Sequence, residues 1–213
     1  MDPEPHPTIE NGALPDQVSI SLDSDNTVTS RNFSWYTSTG VQGSNVQIIA
    51  ADDIESAEDA AAAMDAGSGV TGETSSNVQV ANKAKVTLNL ILITNYEIVQ
   101  ENHHTATATV PAGDYYYRVG SAADGYWSDP VFVDGDAEDA ADGYTAIVVA
   151  DSQGASEADY EAYEQVLLEA EDSTTDEAFA IHLGDMVDVG SNENYWSWLM
   201  NTDASRAVAT MPV

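Results

Sequence analysis

About the first two thirds of the chain consists of short runs that are apolar or in which apolar and polar residues alternate. A period of two is typical of β-strands that bury one face. Gly, Pro, Asn and Asp separate the runs, as expected for turns. About seven strands at this spacing predict an all-β sandwich over residues 1–135. The predicted strands lie at residues 18–22, 32–36, 46–50, 86–93, 105–110, 115–119 and 126–133.

After residue 143 the pattern changes, and apolar runs alternate with segments whose apolar residues have helical spacing. Ser156 and Asp159 provide a capping sequence at the start of the first helical segment. The order strand, helix, strand, helix predicts a parallel α/β arrangement over residues 144–213. The strands are predicted at residues 144–150 and 178–183, and the helices at residues 156–171 and 192–201.

Two acidic stretches lack any apolar period. Residues 136–143 fall between the two patterns, and we expect them to be a linker that divides a domain at 1–135 from a domain at 144–213. Residues 51–76 are rich in Asp, Glu, Ala, Gly and Ser. This composition predicts a surface insertion with one short helix followed by a flexible Gly/Ser segment.

The charge of the chain is strongly one-sided. Lys and Arg total 5 against 37 Asp and Glu, which gives a formal net charge of −32, yet 43% of the residues are hydrophobic. The apolar content predicts a packed protein and excludes a disordered acidic tail. Because the acids are spread along the chain, we expect a halophilic protein whose self-repulsion is screened by concentrated salt. The alternative is an acidic patch that recruits a basic partner, but no single block of like charge supports it.

Other classes of function are excluded or left open by what the sequence lacks. Nucleic acid binding is not expected, because phosphate backbones need clustered Lys and Arg. The absence of cysteine excludes disulfides and thiolate metal sites. Residues 1–7 are polar and do not resemble a signal peptide, and no apolar run is long enough to span a membrane. These features leave localisation and oligomeric state open.

Two acidic motifs follow the two strands predicted after residue 143. The first is Asp-Ser-Gln-Gly at residues 151–154, and the second is Gly-Asp-Met-Val-Asp at residues 184–188. The carboxyl ends of neighbouring parallel strands are the usual ligand site of an open α/β sheet. Carboxylates brought together there repel each other unless a cation lies between them, so the motifs predict a metal site. Gly-Asp alone is also common turn chemistry, and the prediction therefore depends on the pair of motifs.

The chain resembles the calcineurin-like metallophosphoesterases, and among them the purple acid phosphatase-like branch with an amino-terminal fibronectin-III-like sandwich. Phe-Ser-Trp-Tyr-Thr at residues 33–37 resembles a strand of that sandwich. The passage from His104 through Pro-Ala-Gly-Asp-Tyr-Tyr-Tyr-Arg-Val-Gly at 111–120 to Trp127-Ser128 is similar to its strand–turn–strand segment. The two acidic motifs match the first two metal-binding blocks of the family. The resemblance implies that residues 144–213 are part of a metallophosphoesterase domain.

The resemblance also implies a dinuclear centre of divalent or trivalent ions, with Fe, Mn and Zn as candidates. Asp151 would ligate one metal and Asp185 would bridge both, which makes these two the implied catalytic residues. Asp188 stands where purple acid phosphatases carry a tyrosinate ligand, and Gln153 stands where many relatives carry a histidine ligand. The implied reaction is hydrolysis of a phosphomonoester or phosphodiester by a metal-bound hydroxide. The resemblance favours an extracellular or cell-surface protein.

Three later blocks of the family are missing from the chain: Gly-Asn-His-(Asp/Glu), a lone histidine, and Gly-His-x-His. We therefore expect an amino-terminal fragment that ends before the second half of the site and is inactive alone. The alternative is a non-catalytic fragment or β-sandwich binding module with a degenerate half-site.

Further polar and aromatic residues near the motifs have structural interpretations. We interpret His182, inside the second strand, as a packed histidine and not as a ligand. Ser152 has no visible base partner in the sequence, so covalent catalysis by serine is rejected. Trp196 and Trp198 cannot both face the core from one helix, and we expect one of them to line the cleft above the metals.

Overall fold

The computed structural model describes residues 12–23, 30–74, 77–89, 93–135, 145–174, 177–200 and 209–210. The strands are β1 (Asp16–Leu22), β2 (Ser30–Ser38), β3 (Asn45–Ala50), β4 (Thr71–Thr74), β5 (Asn77–Asn89), β6 (Ile93–Thr109), β7 (Tyr115–Ser121), β8 (Tyr126–Trp127), β9 (Val131–Val133), β10 (Thr145–Val149) and β11 (Glu177–His182). The helices are α1 (Ala57–Ala66), α2 (Glu157–Ser173) and α3 (Glu193–Met200). The predicted linker at 136–143 lies outside the described residues.

Strands β1 to β9 form two antiparallel sheets that pack face to face. The first sheet has the order β1-β2-β6-β5, and the second has the order β4-β3-β7-β8, with β9 also paired to β7. Both sheets contribute buried side chains to one core. The structure is therefore mostly β, as the sequence predicts, and the face-to-face sheets are called the sandwich below.

Alternation along the strands produces the core of the sandwich. In β2 the side chains of Phe33 and Trp35 are fully buried, whereas Ser34 and Tyr36 face outwards and are only partly covered. In β7 the tyrosines at 115 and 117 point into the same core, while Tyr116 points to the opposite face. Tyr116 is nevertheless buried, because α1 covers the outer face of the second sheet.

The insertion at 51–76 has a structural role that its composition did not reveal. Helix α1 buries Ala60 and Met64 against Tyr116 on the outer face of the second sheet. Ser56 caps its first turn and Gly67 ends it with a φ of +68°. The predicted short helix is confirmed. The expectation of a flexible Gly/Ser segment after it is wrong at Thr71–Thr74, where strand β4 extends the sheet.

Two predicted strands are each divided in the structure. The run at 126–133 is interrupted by Pro130, which has no N–H to donate, and only its ends pair with β7 as β8 and β9. The run at 86–93 is shared between β5 and β6, which pair as a long hairpin. The sequence between them, Leu-Ile-Leu at 90–92, contains no turn residue. The apolar pattern therefore predicted one strand where the structure has two.

The second part of the chain forms a smaller α/β unit, defined here as residues 145–200. Strands β10 and β11 pair in parallel, and α2 covers one of their faces through contacts of Leu167 with Ile147 and Ala180. Asp159 accepts hydrogen bonds from the backbone N–H groups of Ala155 and Ser156 and completes a capping box at the start of α2. The order β-α-β-α agrees with the sequence, and the division into two domains stays a prediction. No helix in the described part of the chain is long and apolar enough to cross a membrane.

Candidate metal centre

The two acidic motifs are joined by backbone hydrogen bonds that continue beyond the ends of β10 and β11. Leu183 N–H donates to the carbonyl of Val149 at 2.9 Å. Asp151 N–H donates to the carbonyl of Gly184, and Gln153 N–H donates to the carbonyl of Asp185, both at 3.1 Å. The parallel ladder therefore brings the backbones of Asp151 and Asp185 side by side, as the sequence predicts for the carboxyl ends of neighbouring strands.

Both candidate ligands have an unusual backbone conformation. Among the described residues, only Gln17, Asp151 and Asp185 combine a side chain with a positive φ, and the two aspartates have φ values of +58° and +54°. This left-handed region costs about 1–2 kcal/mol for most residues, and Asp and Asn tolerate it best. Gly184 precedes Asp185 with a φ of +120°, which is open to glycine almost alone. The Gly-Asp motif is thus a requirement of this turn.

The two remaining candidate ligands lie on the same loops. Gln153 and Asp188 are exposed, as are Asp151 and Asp185. Beneath them lies Tyr160 of α2, whose side chain is buried. Burial raises the pKa of the Tyr160 hydroxyl, and the nearby backbone groups of Gly154 and Asp188 partly offset that effect. Tyr160 therefore contacts both motif loops from below.

Ser152 and His182 form a polar bridge between the loops. The Ser152 hydroxyl is 3.0 Å from His182 Nε2 and donates to the carbonyl of Met186, also at 3.0 Å. His182 Nδ1 accepts from the backbone N–H of Gly184 at 3.2 Å, so the proton of a neutral ring lies on Nε2 and is donated to Ser152. Burial lowers the pKa of His182, with a smaller opposing effect of Asp151, and this favours the neutral ring.

This bridge is the part of the site that sequence reasoning missed. His182 is the partner of Ser152 that the sequence did not reveal, because the two residues are 30 positions apart. The direction of the hydrogen bonds still argues against covalent catalysis, since His182 donates to Ser152 and cannot accept its proton. His182 is partly buried and packs edge-on against the ring of Tyr163. Its interpretation as a packed histidine stays a prediction.

A close approach explains the glycine of the first motif. A Cβ atom placed on Gly154 would collide with the side chain of Asp159, which caps α2. The start of α2 is therefore packed directly against the loop that carries Asp151. In the sequence, Gly154 lies between Asp151 and Ser156 at the start of α2. The sequence alone did not show that Gly154 contacts Asp159.

The chemistry of the donor set fits a metal only in part. Within the described ranges, no group of three or more His, Asp or Glu side chains is arranged to hold a metal ion. Two exposed carboxylates on joined loops are suitable oxygen donors for hard or borderline cations. The described residues thus offer Asp151 and Asp185 as a pair of donors and do not by themselves complete a metal site.

A cleft of about 540 Å³ lies between the sandwich and the loop that follows Asp185. Tyr36 and Lys83 line it from the outer face of the first sheet, and Met186 and Trp196 line it from the α/β unit. The indole N–H of Trp196 donates to the carbonyl of Gly190 at 2.9 Å, which fixes the ring against the loop. Trp196 is therefore a cleft-lining tryptophan, whereas Trp198 contacts Tyr160 and Tyr195.

Comparisons with known proteins show the fold. A scan against protein-family models and a search of curated proteins both find no match. Among solved structures, the chain is similar to a purple acid phosphatase isolated from seeds of yellow lupin (Lupinus luteus), with a TM-score of 0.58 and 11% sequence identity over 95% of this chain. The chain spans 35% of the length of that protein. At this identity the likeness shows a shared fold.

Proposed function

We propose that this chain contributes the Asp151–Asp185 part of a dinuclear metal centre in a hydrolase of phosphate esters. The observation that carries the proposal is the pair of strained aspartates on hydrogen-bonded neighbouring loops. Residues held in sparsely populated backbone conformations cluster at functional sites. The fold shared with a purple acid phosphatase supports the same assignment.

In this proposal each residue of the site has a defined task. Asp151 and Asp185 would hold the metals, and the exposed Gln153 and Asp188 would be auxiliary donors. The metal pair, when bound, supplies Lewis acidity and an activated water for in-line attack on phosphorus. The neutral His182 and Ser152 hold the two loops in register. Any further metal ligands come from outside the described residues.

Electrostatics explain why such a site needs cations. A phosphate ester is an anion, and the chain has a formal net charge of −32. Bound metals reverse the local sign of the potential at the two aspartates, and molar salt reduces the Debye length to about 3 Å, which limits repulsion from the rest of the surface. We propose that the protein is salt-adapted, because salt screens the repulsion between its acidic surface and an anionic ester. We also propose that the organic part of the ester lies in the cleft beside Met186.

The test is the binding of Mn²⁺ or Zn²⁺ in molar NaCl, measured by isothermal titration calorimetry. We expect Asp185→Asn and Asp151→Asn each to weaken binding at least about tenfold, because each removes a charged ligand. Asp52→Asn is the matched control: it removes the same charge from an exposed position next to β3 and leaves affinity unchanged. Inorganic phosphate is expected to tighten metal binding to the wild-type chain.

A second candidate is a non-catalytic module with a degenerate half-site. It is favoured by one observation, namely that the described residues contain no group of three His, Asp or Glu side chains suited to a metal. If Asp185→Asn and Asp52→Asn bind metal as the wild-type chain does, the metal is held loosely by the acidic surface. The proposed metal centre is then wrong, and the second candidate is the better one.

A further inference from the structure

The third strained residue of the described chain lies in the sandwich, far in sequence from the two aspartates. Gln17 has a φ of +48° and lies in β1, where the pairing with β2 shifts register between Asp16 and Ser19. Such a bulge redirects a side chain out of the regular alternation. The side-chain amide of Gln17 donates to Glu193 Oε1 of α3 at 2.5 Å.

Glu193 is the centre of a buried cluster between the sandwich and the α/β unit. Lys83 Nζ of β5 lies 3.0 Å from Glu193 Oε1 and 2.7 Å from Glu101 Oε2 of β6. Lys83 and Glu193 are only 8% and 7% exposed. The ammonium group also lies 3.5 Å from the ring centroid of Tyr36. One of the five basic residues of the chain is therefore used at this contact.

Lys83 keeps its charge at neutral pH. Burial disfavours the ammonium form of Lys83, but hydrogen bonds and charge attraction from Glu101 and Glu193 outweigh it and hold its pKa above the ordinary value. A buried ion pair is screened by salt much less than a surface pair. The contact therefore persists under the salt conditions that an acidic surface requires.

Glu193 is also the first residue of α3, which follows the loop that begins at the second acidic motif. That loop, residues 184–192, is fastened to α3 at its far end by two hydrogen bonds. Trp196 Nε1 donates to the Gly190 carbonyl at 2.9 Å, and Tyr195 N–H donates to the Asn192 carbonyl at 3.2 Å. Its near end is held by Ser152 through the carbonyl of Met186. Fixing α3 to the sandwich therefore fixes the far end of the loop that carries Asp185.

We propose that Gln17 and Lys83 are positioning residues for the metal centre and act through Glu193, so that the sandwich is part of the site's support. This inference rests on the proposed function, since it assigns Asp185 to metal. The inference also explains the left-handed conformation of Gln17, because that conformation directs the side-chain amide to Glu193. The cluster also forms one wall of the cleft, which places the support next to the space proposed for the substrate.

The test compares Lys83→Met with Lys83→Arg and with Lys85→Met, a control that removes the same charge two positions along β5. Circular dichroism and denaturant titration first establish that each variant is folded under the assay conditions. We expect Lys83→Met to weaken Mn²⁺ binding about tenfold, as outer-shell substitutions do, and Lys83→Arg and Lys85→Met to stay close to wild type. Hydrogen exchange at residues 184–192 is expected to be faster in Lys83→Met alone.

If Lys83→Met does not fold, Glu193→Gln replaces it, because this substitution keeps the shape of the side chain and removes only its charge. Folded Lys83→Met or Glu193→Gln with wild-type metal affinity overturns the inference. The proposed function fails by a different result, namely wild-type affinity in Asp185→Asn. Faster exchange at 184–192 with unchanged metal affinity also counts against the inference, because the cluster then supports only the loop.

Discussion

The sandwich and the α/β unit differ most in the size of the core that their described residues form. Among the described residues, twelve buried side chains from both sheets form the core of the sandwich, whereas three form the core under β10 and β11. On the face of the parallel pair opposite α2, Val148 and Ile181 are 56% and 41% exposed. The candidate ligands are thus carried by the less buried region, and the sandwich supplies rigidity through the contact at Glu193. Regions with few buried contacts open most easily, and sites are often drawn from them.

The strongest test of this difference is to remove the largest buried side chain of the sandwich. Trp35→Ala is expected to cost about 3–5 kcal/mol in the free energy of unfolding, which is a large part of the total for a domain of this size. Trp127→Ala is the matched control, because Trp127 lies at the sheet edge beneath Arg118 and is only partly buried. Denaturant titration in molar salt measures both. Equal losses would contradict the picture of one dominant core.

The same kind of truncation in the α/β unit tests whether that unit opens separately. Leu167→Ala removes the buried contact of α2 with β10 and β11 and is expected to cost about 3–4 kcal/mol, but locally. Hydrogen exchange should increase in β10, β11 and α2 and stay slow in β2 and β6. Val166→Ala is the control, since Val166 is 57% exposed and its truncation should cost no more than about 0.5 kcal/mol. Faster exchange throughout the sandwich would show that the two regions unfold together.

The sequence predicted those elements whose signal is local. Alternation identified β2, and an aromatic run after a turn sequence identified β7. Helical spacing and a capping sequence identified α2, and the strand–motif–strand order placed Asp151 beside Asp185. Prediction failed where the signal was three-dimensional. Strand β4 lies in a segment whose Gly and Ser content argued against a strand, and its pairing with β3 overrode that preference.

The support of the site was the least predictable feature, since it joins residues that are distant along the chain. The hydrogen bond between Gln17 and Glu193 spans 176 positions, and neither residue belongs to a motif. The bulge that turns Gln17 toward α3 depends on the register of β1 against β2, which no local pattern specifies. Motif reasoning therefore identifies candidate ligands and does not identify what holds them in place.

A pH titration distinguishes the two regions without mutating a core residue. His104 is fully buried in the sandwich, where its Nε2 lies 2.7 Å from Thr37 Oγ1 and its Nδ1 contacts Ser44. Burial, aided by the neighbouring His103, lowers the pKa of His104 from 6.5 to about 4. Because the unfolded chain takes up this proton at a higher pH than the folded one, stability falls as pH drops from about 6.5 to about 4, by up to about 3 kcal/mol.

The control for this titration is His104→Gln, which can still hydrogen-bond to Thr37 and Ser44 but has no ionisable ring. Protonation of the many carboxylates also changes stability in acid, and subtracting the profile of the variant from that of the wild-type chain removes that contribution. The difference should appear in the unfolding of the sandwich and be small for local opening of the α/β unit. Parallel profiles for the two proteins between pH 6.5 and 4 would contradict the assignment.

The smallest expected effect tests the polar bridge that joins the two motif loops. Ser152→Ala leaves the Nε2–H of His182 and the carbonyl of Met186 without their partner, at a cost of about 1–2 kcal/mol. Exchange at residues 184–186 should become faster while the sandwich stays protected, and Ser191→Ala, at an exposed position of the same loop, should change neither. Because the Asp151 and Asp185 side chains are untouched, weaker metal binding in Ser152→Ala would come from the register of the loops alone. Unchanged exchange would show instead that the backbone ladder between Val149 and Asp185 holds the loops without the bridge.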